Sequence, residues 1–287
     1  MRYAQIRAFH HVALHGGFSR AAAALHVSQP SISDQVRQLE QAHDVLLFQR
    51  DGRQVRLTPA GEDLFLLTKR FFEAEDQIER QLSASRASVT GTLRIVADSA
   101  LHVTEVLGRF RAQYPDVFIQ LRSGNSEAVL AALRSYDAEI GVLGSHAPAA
   151  DMDSVDLGET PILAIAKQGY LPERVNSLSL QELARHPLIF REKGSRTRAG
   201  IESGARAAGV RLTPVIEVEG REAMREVVAS GAGIGFISQA EMGRDPRLRA
   251  VPIDGIDLGM TETVIHLAMR RDVPVIRSFM RVLRGIA

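Results

Sequence analysis

The segment from Phe18 to Ser33, FSRAAAALHVSQPSIS, leaves this chain few choices of fold. Ala21 to Leu25 is a run of strong helix formers, and Ser19 is placed to cap its start. His26-Val27-Ser28 reads as a short turn, and Pro30 stands where the first turn of a new helix tolerates it. Ile32, Val36 and Leu39 then give that helix one buried face up to Glu40. Before it, Ile6, Phe9, Val12 and Ala13 form an amphipathic stripe over residues 3–15, ended by Gly16-Gly17. After it, Asp51-Gly52-Arg53 lies between two short apolar runs, a strong hairpin signal. Three helices and a hairpin predict a winged helix-turn-helix over residues 1–58.

Charge supports a separate role for this head. Residues 1–60 hold seven arginines against four acidic residues, and five of the nine histidines, while the whole chain has a net charge of only +1. A basic head on a slightly acidic body suggests nucleic acid at the head. Thr58-Pro59-Ala60-Gly61-Glu62 looks like a helix start, and no breaker follows Gly61 until about Ser88. Roughly 28 helical residues make a rod of about 42 Å over 59–88. Leu64, Phe71 and Ile78 are seven apart, as are Leu67 and Ala74, the pattern of a coiled-coil seam. That seam could pack on its own wing, or pair two copies of the chain.

From Gly91 the pattern turns to alternating strands and helices. Strands are predicted at 93–97, 117–121, 140–143, 162–166, 188–190, 215–218, 234–237 and 264–268. Helices fall at about 101–113, 126–135, 196–208, 221–230 and 274–285. Such alternation implies an α/β fold with parallel sheets and helices on both faces. The loop Ser145–Ser154 divides the segment and a similar plan restarts near Pro161. Two lobes are therefore expected, the first over 91–160 and 268–287, the second over 161–267. At 287 residues the chain is about twice the usual domain size, which accommodates this plan.

The Ala-rich second helix, the Ser28-to-Ser33 opening of the third, Gln38-Leu39-Glu40, Leu46 to Arg50 and Leu57 to Gly61 together resemble the LysR-type transcriptional regulators. The resemblance covers the full length. It implies a winged helix-turn-helix, a long linker helix, and a two-lobed effector domain like periplasmic binding proteins. Its partners would be double-stranded promoter DNA and a small effector held between the lobes, with the chain a homodimer or homotetramer. On that reading Ser19, Arg20, Ser28, Gln29, Pro30, Ser31, Ser33, Asp34 and Arg37 face DNA. Gln29 and Arg37 can pair with bases, whereas Arg50 and Arg53 on the wing meet phosphate or the minor groove. Asp34 departs from the family, where a basic residue is common. It could accept from a cytosine amino group or simply face solvent. Arg20 could equally form a surface salt bridge.

An anion site between lobes would use helix N-termini, whose free N–H groups and dipole favour negative charge. Four strand-end segments offer this: Asp98-Ser99 with His102, Asn125-Ser126, Ser195-Arg196, and Glu219 with Arg221. Each could also be capping chemistry alone. Ser99, Ser195 and Arg196 would hold the anion, and Asp98 or Glu219 a cation. Ala97-Asp98-Ser99, Arg191 to Ser195 and Gly220 to Ala223 are similar to the family branch associated with aminoethylphosphonate catabolism, whose implied inducer is zwitterionic.

The remaining signals exclude more than they add. The chain has no cysteine, hence no disulfide framework, thiolate metal site or cysteine nucleophile. No apolar run is long enough to span a membrane, and the N-terminus lacks a signal peptide's apolar core, so a cytoplasmic protein is expected. Gly231-Ala232-Gly233-Ile234-Gly235-Phe236 lacks the third glycine of a dinucleotide loop and runs from helix to strand, the reverse of that fingerprint. His11 and His15 have metal spacing but no third ligand near them in sequence. No cofactor is expected, and no nucleophile or acid–base motif argues for catalysis. The competing reading is a cytoplasmic binding protein or enzyme with an appended helix-turn-helix head.

Overall fold

Left-handed residues punctuate the first of two units, Met1–Arg86, in the computed structural model, which describes residues 1–51, 54–82, 89–144, 150–256 and 258–285. Helix α1 (Tyr3–His15) stops at Gly16, φ 66°, α2 (Phe18–Leu25) at His26, φ 56°, and α3 (Gln29–His43) at Asp44, φ 48°. His and Asp tolerate this region better than most side chains. Ser19 is not the cap of α2. Gly17 is, because Phe18 already packs its ring 5.7 Å from Phe48 and starts the helix there. Ser28, read from the sequence as part of a turn, caps α3, its Oγ accepting from the Ser31 amide at 3.3 Å. Phe9, Val12, Ala21, Ile32, Val36, Leu39 and Leu47 form the core.

Strands β1 (Phe48–Asp51) and β2 (Gln54–Leu57) pair as the expected antiparallel hairpin. Glu40 ties the third helix to it, accepting from the Leu47 and Phe48 amides at 2.8 and 3.2 Å. Helix α4 (Pro59–Leu82) begins at Thr58, whose Oγ1 accepts from the Gly61 amide at 3.0 Å. Its expected end near Ser88 lies outside the described residues.

The buried His10 ring stacks 4.5 Å from Phe72 and 5.4 Å from Phe65, with Nδ1 3.0 Å from Thr68 Oγ1. Burial first, then the charges of His11, Lys69 and His15, push its pKa down to about 4. The unfolded state therefore binds the proton more readily. The stability from burying neutral His10 is present in full above about pH 6.5 and lost as pH falls toward 4. Nuclear magnetic resonance of the ring should show a midpoint near 4. A midpoint near that of free histidine would mean that the ring is solvated.

The second unit, Ala87–Ala287, begins with β3 (Gly91–Ala97), a 3₁₀ turn (Ala100–Val103), α5 (Thr104–Gln113), β4 (Val117–Ser123), α6 (Ser126–Arg134) and β5 (Ile140–Gly144). A long strand β6 (Met152–Lys167) leads into β7 (Leu178–Ser179), α7 (Leu180–Leu183), β8 (Leu188–Arg191), α8 (Arg196–Ala207), β9 (Pro214–Val218), α9 (Arg221–Ser230) and β10 (Gly235–Ser238). A 3₁₀ turn (Gln239–Glu241), β11 (Leu248–Val251), β12 (Ile253–Asp254), β13 (Gly259–Leu267) and α10 (Pro274–Arg284) complete it.

The main sheet runs β10-β6-β13-β5-β3-β4, with β11 also on β6. It is mixed, not parallel as alternation suggested. β3 is parallel to β4 and β5, and β8 to β9, but β13 runs antiparallel to β5 and β6, and β6 antiparallel to β10 and β11. The predicted strand at 162–166 is only the end of β6, which starts inside the expected dividing loop. The strand predicted at 264–268, expected in the second lobe, lies in β13 and pairs with β5 of the first. Two cores result. Leu93, Ile95, Phe110, Ile140 and Phe279 anchor one; Leu183, Phe190, Ile201, Ile234 and Phe236 anchor the other. Strands β6 and β13 are shared between them.

Candidate functional site

Two surfaces answer the sequence expectations, one in each unit. On the first, Gln29, Pro30, Ser31, Asp34 and Arg37 stand exposed along α3, opposite its buried Ile32, Val36 and Leu39. Ser28 is exposed too but engaged as the cap, and Ser33 is half-buried. Asp34 does more than face solvent: its Oδ1 accepts from Arg37 Nη2 at 2.9 Å, one turn on. Both side chains are more than half exposed, so the pair is weak. Arg20 makes no surface salt bridge among the described residues. It donates to the His15 and Gly16 carbonyls at 2.5 Å each and so closes the C-terminal end of α1. Ser19 is exposed on α2. Arg53 and the side chain of Arg50 lie outside the described residues. On α4, Leu67, Phe71, Ala74 and Ile78 are exposed, while Leu64 and Phe65 pack against the core of the head.

The second surface forms where β3, β4, β8 and β9 end. Gly124 follows β4 and donates to the Ala97 carbonyl at 3.1 Å, which sets Asn125-Ser126 beside Asp98-Ser99. The loop before α8 reaches the same place from the other lobe: Asn125 Nδ2 donates to the Lys193 carbonyl at 3.3 Å. Gly194, at φ 90°, presses so close to Asn125 that an added Cβ would sit 3.0 Å from its Nδ2. Asn125 does cap its helix, accepting from the Ala128 amide, as the bland reading allowed. The serines do not. Ser99, Ser126 and Ser195 are at most 2% exposed, and none of their Oγ atoms has a hydrogen-bond partner. A buried hydroxyl without a partner costs about 1–3 kcal/mol, so three together need a reason.

A network of buried charges crosses beside them. Asp98 accepts from Arg191 Nη2 at 3.2 Å, and Arg221 Nη2 donates to the Asp98 carbonyl at 2.9 Å and reaches Glu241 Oε1 at 2.5 Å. Arg191 also pairs with Glu192 at 2.8 Å. Burial raises the Asp98 carboxyl above its ordinary value, and the two arginines oppose that rise. Burial would raise Glu192 too, but Arg191 outweighs it and holds that carboxyl low. Asp98 is thus occupied, which corrects its expected role as a free cation holder. Glu219, the other candidate, is exposed and makes no ion pair among the described residues. Arg196 is exposed at the first turn of α8, whereas the Arg221 Nε is buried and unpartnered.

His102 meets two buried carboxylates, with Nε2 3.4 Å from Glu241 Oε1 and from Glu262 Oε1. Burial alone would lower this imidazole, but its contacts with Glu241 and Glu262 outweigh it and push the pKa up to about 9. Arg191, Glu192, Glu241 and Glu262 were missed as site residues. For Arg191 a signal existed, since it ends a strand just ahead of Ser195; for the others none did.

The LysR substrate binding domain model matches residues 86–286, and that of the bacterial regulatory helix-turn-helix protein, lysR family, matches residues 3–62. The chain is 28% identical to the HTH-type transcriptional activator CmpR of Synechocystis sp., over 96% of this chain and 92% of that one. It is 29% identical to the RuBisCO operon transcriptional regulator of Allochromatium vinosum, over 82% of this chain and 78% of the other. In fold it is similar to a full-length OxyR variant from Pseudomonas aeruginosa, with a TM-score of 0.78 at 20% identity, covering 99% and 95% of the two chains. It is also similar to full-length CbnR complexed with its target DNA, with a TM-score of 0.67 at 21% identity over the whole of both.

Proposed function

Since the chain belongs to the LysR family of DNA-binding transcriptional regulators, which are not enzymes, we propose that it is a homo-oligomeric, cytoplasmic regulator of its family's kind whose promoter binding is set by a small anion held between the lobes. The observation that carries the anion is the trio of buried, unpartnered hydroxyls, Ser99, Ser126 and Ser195, drawn from both lobes at the starts of α6, α8 and the first 3₁₀ turn. Hydroxyls and helix N-termini donate to a phosphate or carboxylate. Arg196 and the Arg221 Nε would add charge. A ligand touching both lobes favours the closed arrangement, and it changes DNA affinity only through its differential affinity for the two states.

A zwitterion such as 2-aminoethylphosphonate fits the anion half of this site, while its amine would need Asp98 to leave its arginines. The relatives named for the RuBisCO operon give sugar bisphosphates an equal place among the probes. Calorimetry on the full chain with phosphate, ethylphosphonate, 2-aminoethylphosphonate and a sugar bisphosphate tests the site. Ser99→Ala and Ser195→Ala should each weaken the ligand roughly tenfold, about the worth of one hydrogen bond, yet leave the free protein as stable or more so. No heat with any of these anions, or affinities untouched by both variants, would sink the site. A preference for the aminoethyl over the ethyl compound would establish the amine.

For the oligomer, the exposed Leu67, Phe71 and Ile78 on α4 support a seam between two copies. Phe71→Asp with Ile78→Asp should therefore lower both the sedimentation mass and operator affinity. An unchanged mass would refute the seam.

A further inference from the structure

We propose that His102, Glu241 and Glu262 form a binding site for a divalent transition-metal ion of the zinc type, apart from the anion site. The three come from separate elements of the second unit. His102 lies in the 3₁₀ turn after β3, Glu241 in the 3₁₀ turn after β10, and Glu262 in β13 at the register shift between Glu262 and Thr263. Such a bulge re-aims one side chain of a strand. Their side chains are 10, 3 and 4% exposed, and their ligand atoms all lie within 4.8 Å of one another.

Hydrogen bonding accounts for this arrangement only in part, through a long contact between His102 and Glu241. The His102 Nε2 stands 3.4 Å from each carboxylate oxygen, longer than the roughly 2.7–2.9 Å of a charge-assisted bond, and its one proton cannot serve both. Glu262 Oε1 is fully buried and accepts no hydrogen bond at all. The His102 ring stands beside it at 3.4 Å, too far for a good charge-assisted bond, and an ion in the place of the ring proton would lie closer to the oxygen. Two of the three ligand separations, those from His102 to each carboxylate, are 3.4 Å, what an ion with bonds of about 2.0–2.2 Å requires at an angle of about 110°, the tetrahedral value.

Charge leads to the same ion. Asp98, Glu192, Glu241 and Glu262 set four carboxylates against the guanidiniums of Arg191 and Arg221. An ion that takes the place of the His102 ring proton leaves the imidazole neutral; the four carboxylates then exceed the two guanidiniums by two charges, which one divalent ion cancels. The mixed imidazole and carboxylate set suits zinc and its neighbours better than magnesium or calcium. Arg221, donating to Glu241 Oε1 at 2.5 Å, would act as an outer partner that orients that ligand. An ion here ties the turns after β3 and β10 to a strand shared by both cores, so it would resist their separation.

Zinc binding to the full, chelator-stripped chain tests this, using calorimetry, thermal melting and the visible spectrum of the cobalt-loaded protein. One ion per chain is expected, with a rise in melting temperature at saturation and a cobalt spectrum of nitrogen and oxygen ligation. Glu262→Gln, close in shape, and His102→Gln should each weaken zinc roughly a hundredfold or more, since losing even an outer partner costs about 10–100-fold. His11→Gln with His15→Gln removes the other paired histidines and should leave binding intact. The site is overturned by absence of zinc binding, by affinities unchanged in both cleft variants, or by loss of binding in the His11 and His15 variant. Anion binding by the Ser99 and Ser195 variants is measured separately, so either site can fail alone.

Discussion

Replacing Arg221 with leucine should cost the effector domain about 3–5 kcal/mol, the usual result of removing one partner from a buried ion pair. Arg221 is buried against Glu241 Oε1 at 2.5 Å and the Asp98 carbonyl at 2.9 Å, and both acids are less than a tenth exposed. Leucine fills part of the volume but leaves two carboxylates with too little positive charge. Against a total stability of roughly 5–15 kcal/mol, that is a large share. The urea midpoint, followed by circular dichroism, should fall with an unchanged slope. Arg221→Lys should recover only part, because one ammonium cannot reach both groups as a planar guanidinium does. Arg221→Leu with Glu241→Met should recover more, since an apolar pair leaves less charge unmatched. If the single variant melts like the parent, the network is not buried in solution.

That network shows where the sequence stops being legible. The head was readable because its signals are local: Ala21 to Leu25 favours a helix, Pro30 starts another, and Asp51-Gly52 sits between two short strands. The serines of the cleft were readable for the same reason, each following a strand. Arg221, Asp98 and Glu241 meet across separations of up to 143 residues, and no periodicity encodes such a meeting. Strand β6 was misread because its start falls in the expected dividing loop and a new plan reads as restarting near Pro161. Gly158, at φ 116°, sits beside the bulge opposite Glu262, and the chain instead stays paired with β13 through Pro161. The expectation of parallel sheets follows from that error, since it left out the strand through 152–161 that joins the two halves. Expecting Ser19 as a cap failed for a different reason: packing of Phe18 outweighed capping preference.

The sharpest test of the head is a glycine that helix propensity would have one replace. Gly61 lies in the first turn of α4, and changing a helical glycine to alanine ordinarily gains up to about 1 kcal/mol. Here the sign should reverse. A Cβ on Gly61 would stand 2.1 Å from the Leu47 carbonyl oxygen and 3.0 Å from the Leu57 side chain. The first contact is with backbone held from both sides, since that same carbonyl accepts from the Thr58 amide at 3.0 Å and Leu47 N donates to Glu40. It cannot swing aside as a side chain can. Gly61→Ala must therefore push α4 away from the wing, and overpacking of this kind costs about 1–3 kcal/mol. For a head of this size each kcal/mol lowers the melting temperature by roughly 4–8 °C. Gly108 supplies the control: it is exposed in α5 with open space around its Cβ position, so Gly108→Ala should stabilise slightly. Calorimetric melting of the two variants should thus move in opposite directions, and operator affinity should fall only for Gly61→Ala. A Gly61→Ala protein as stable as the parent would mean that α4 does not meet the wing at Leu47.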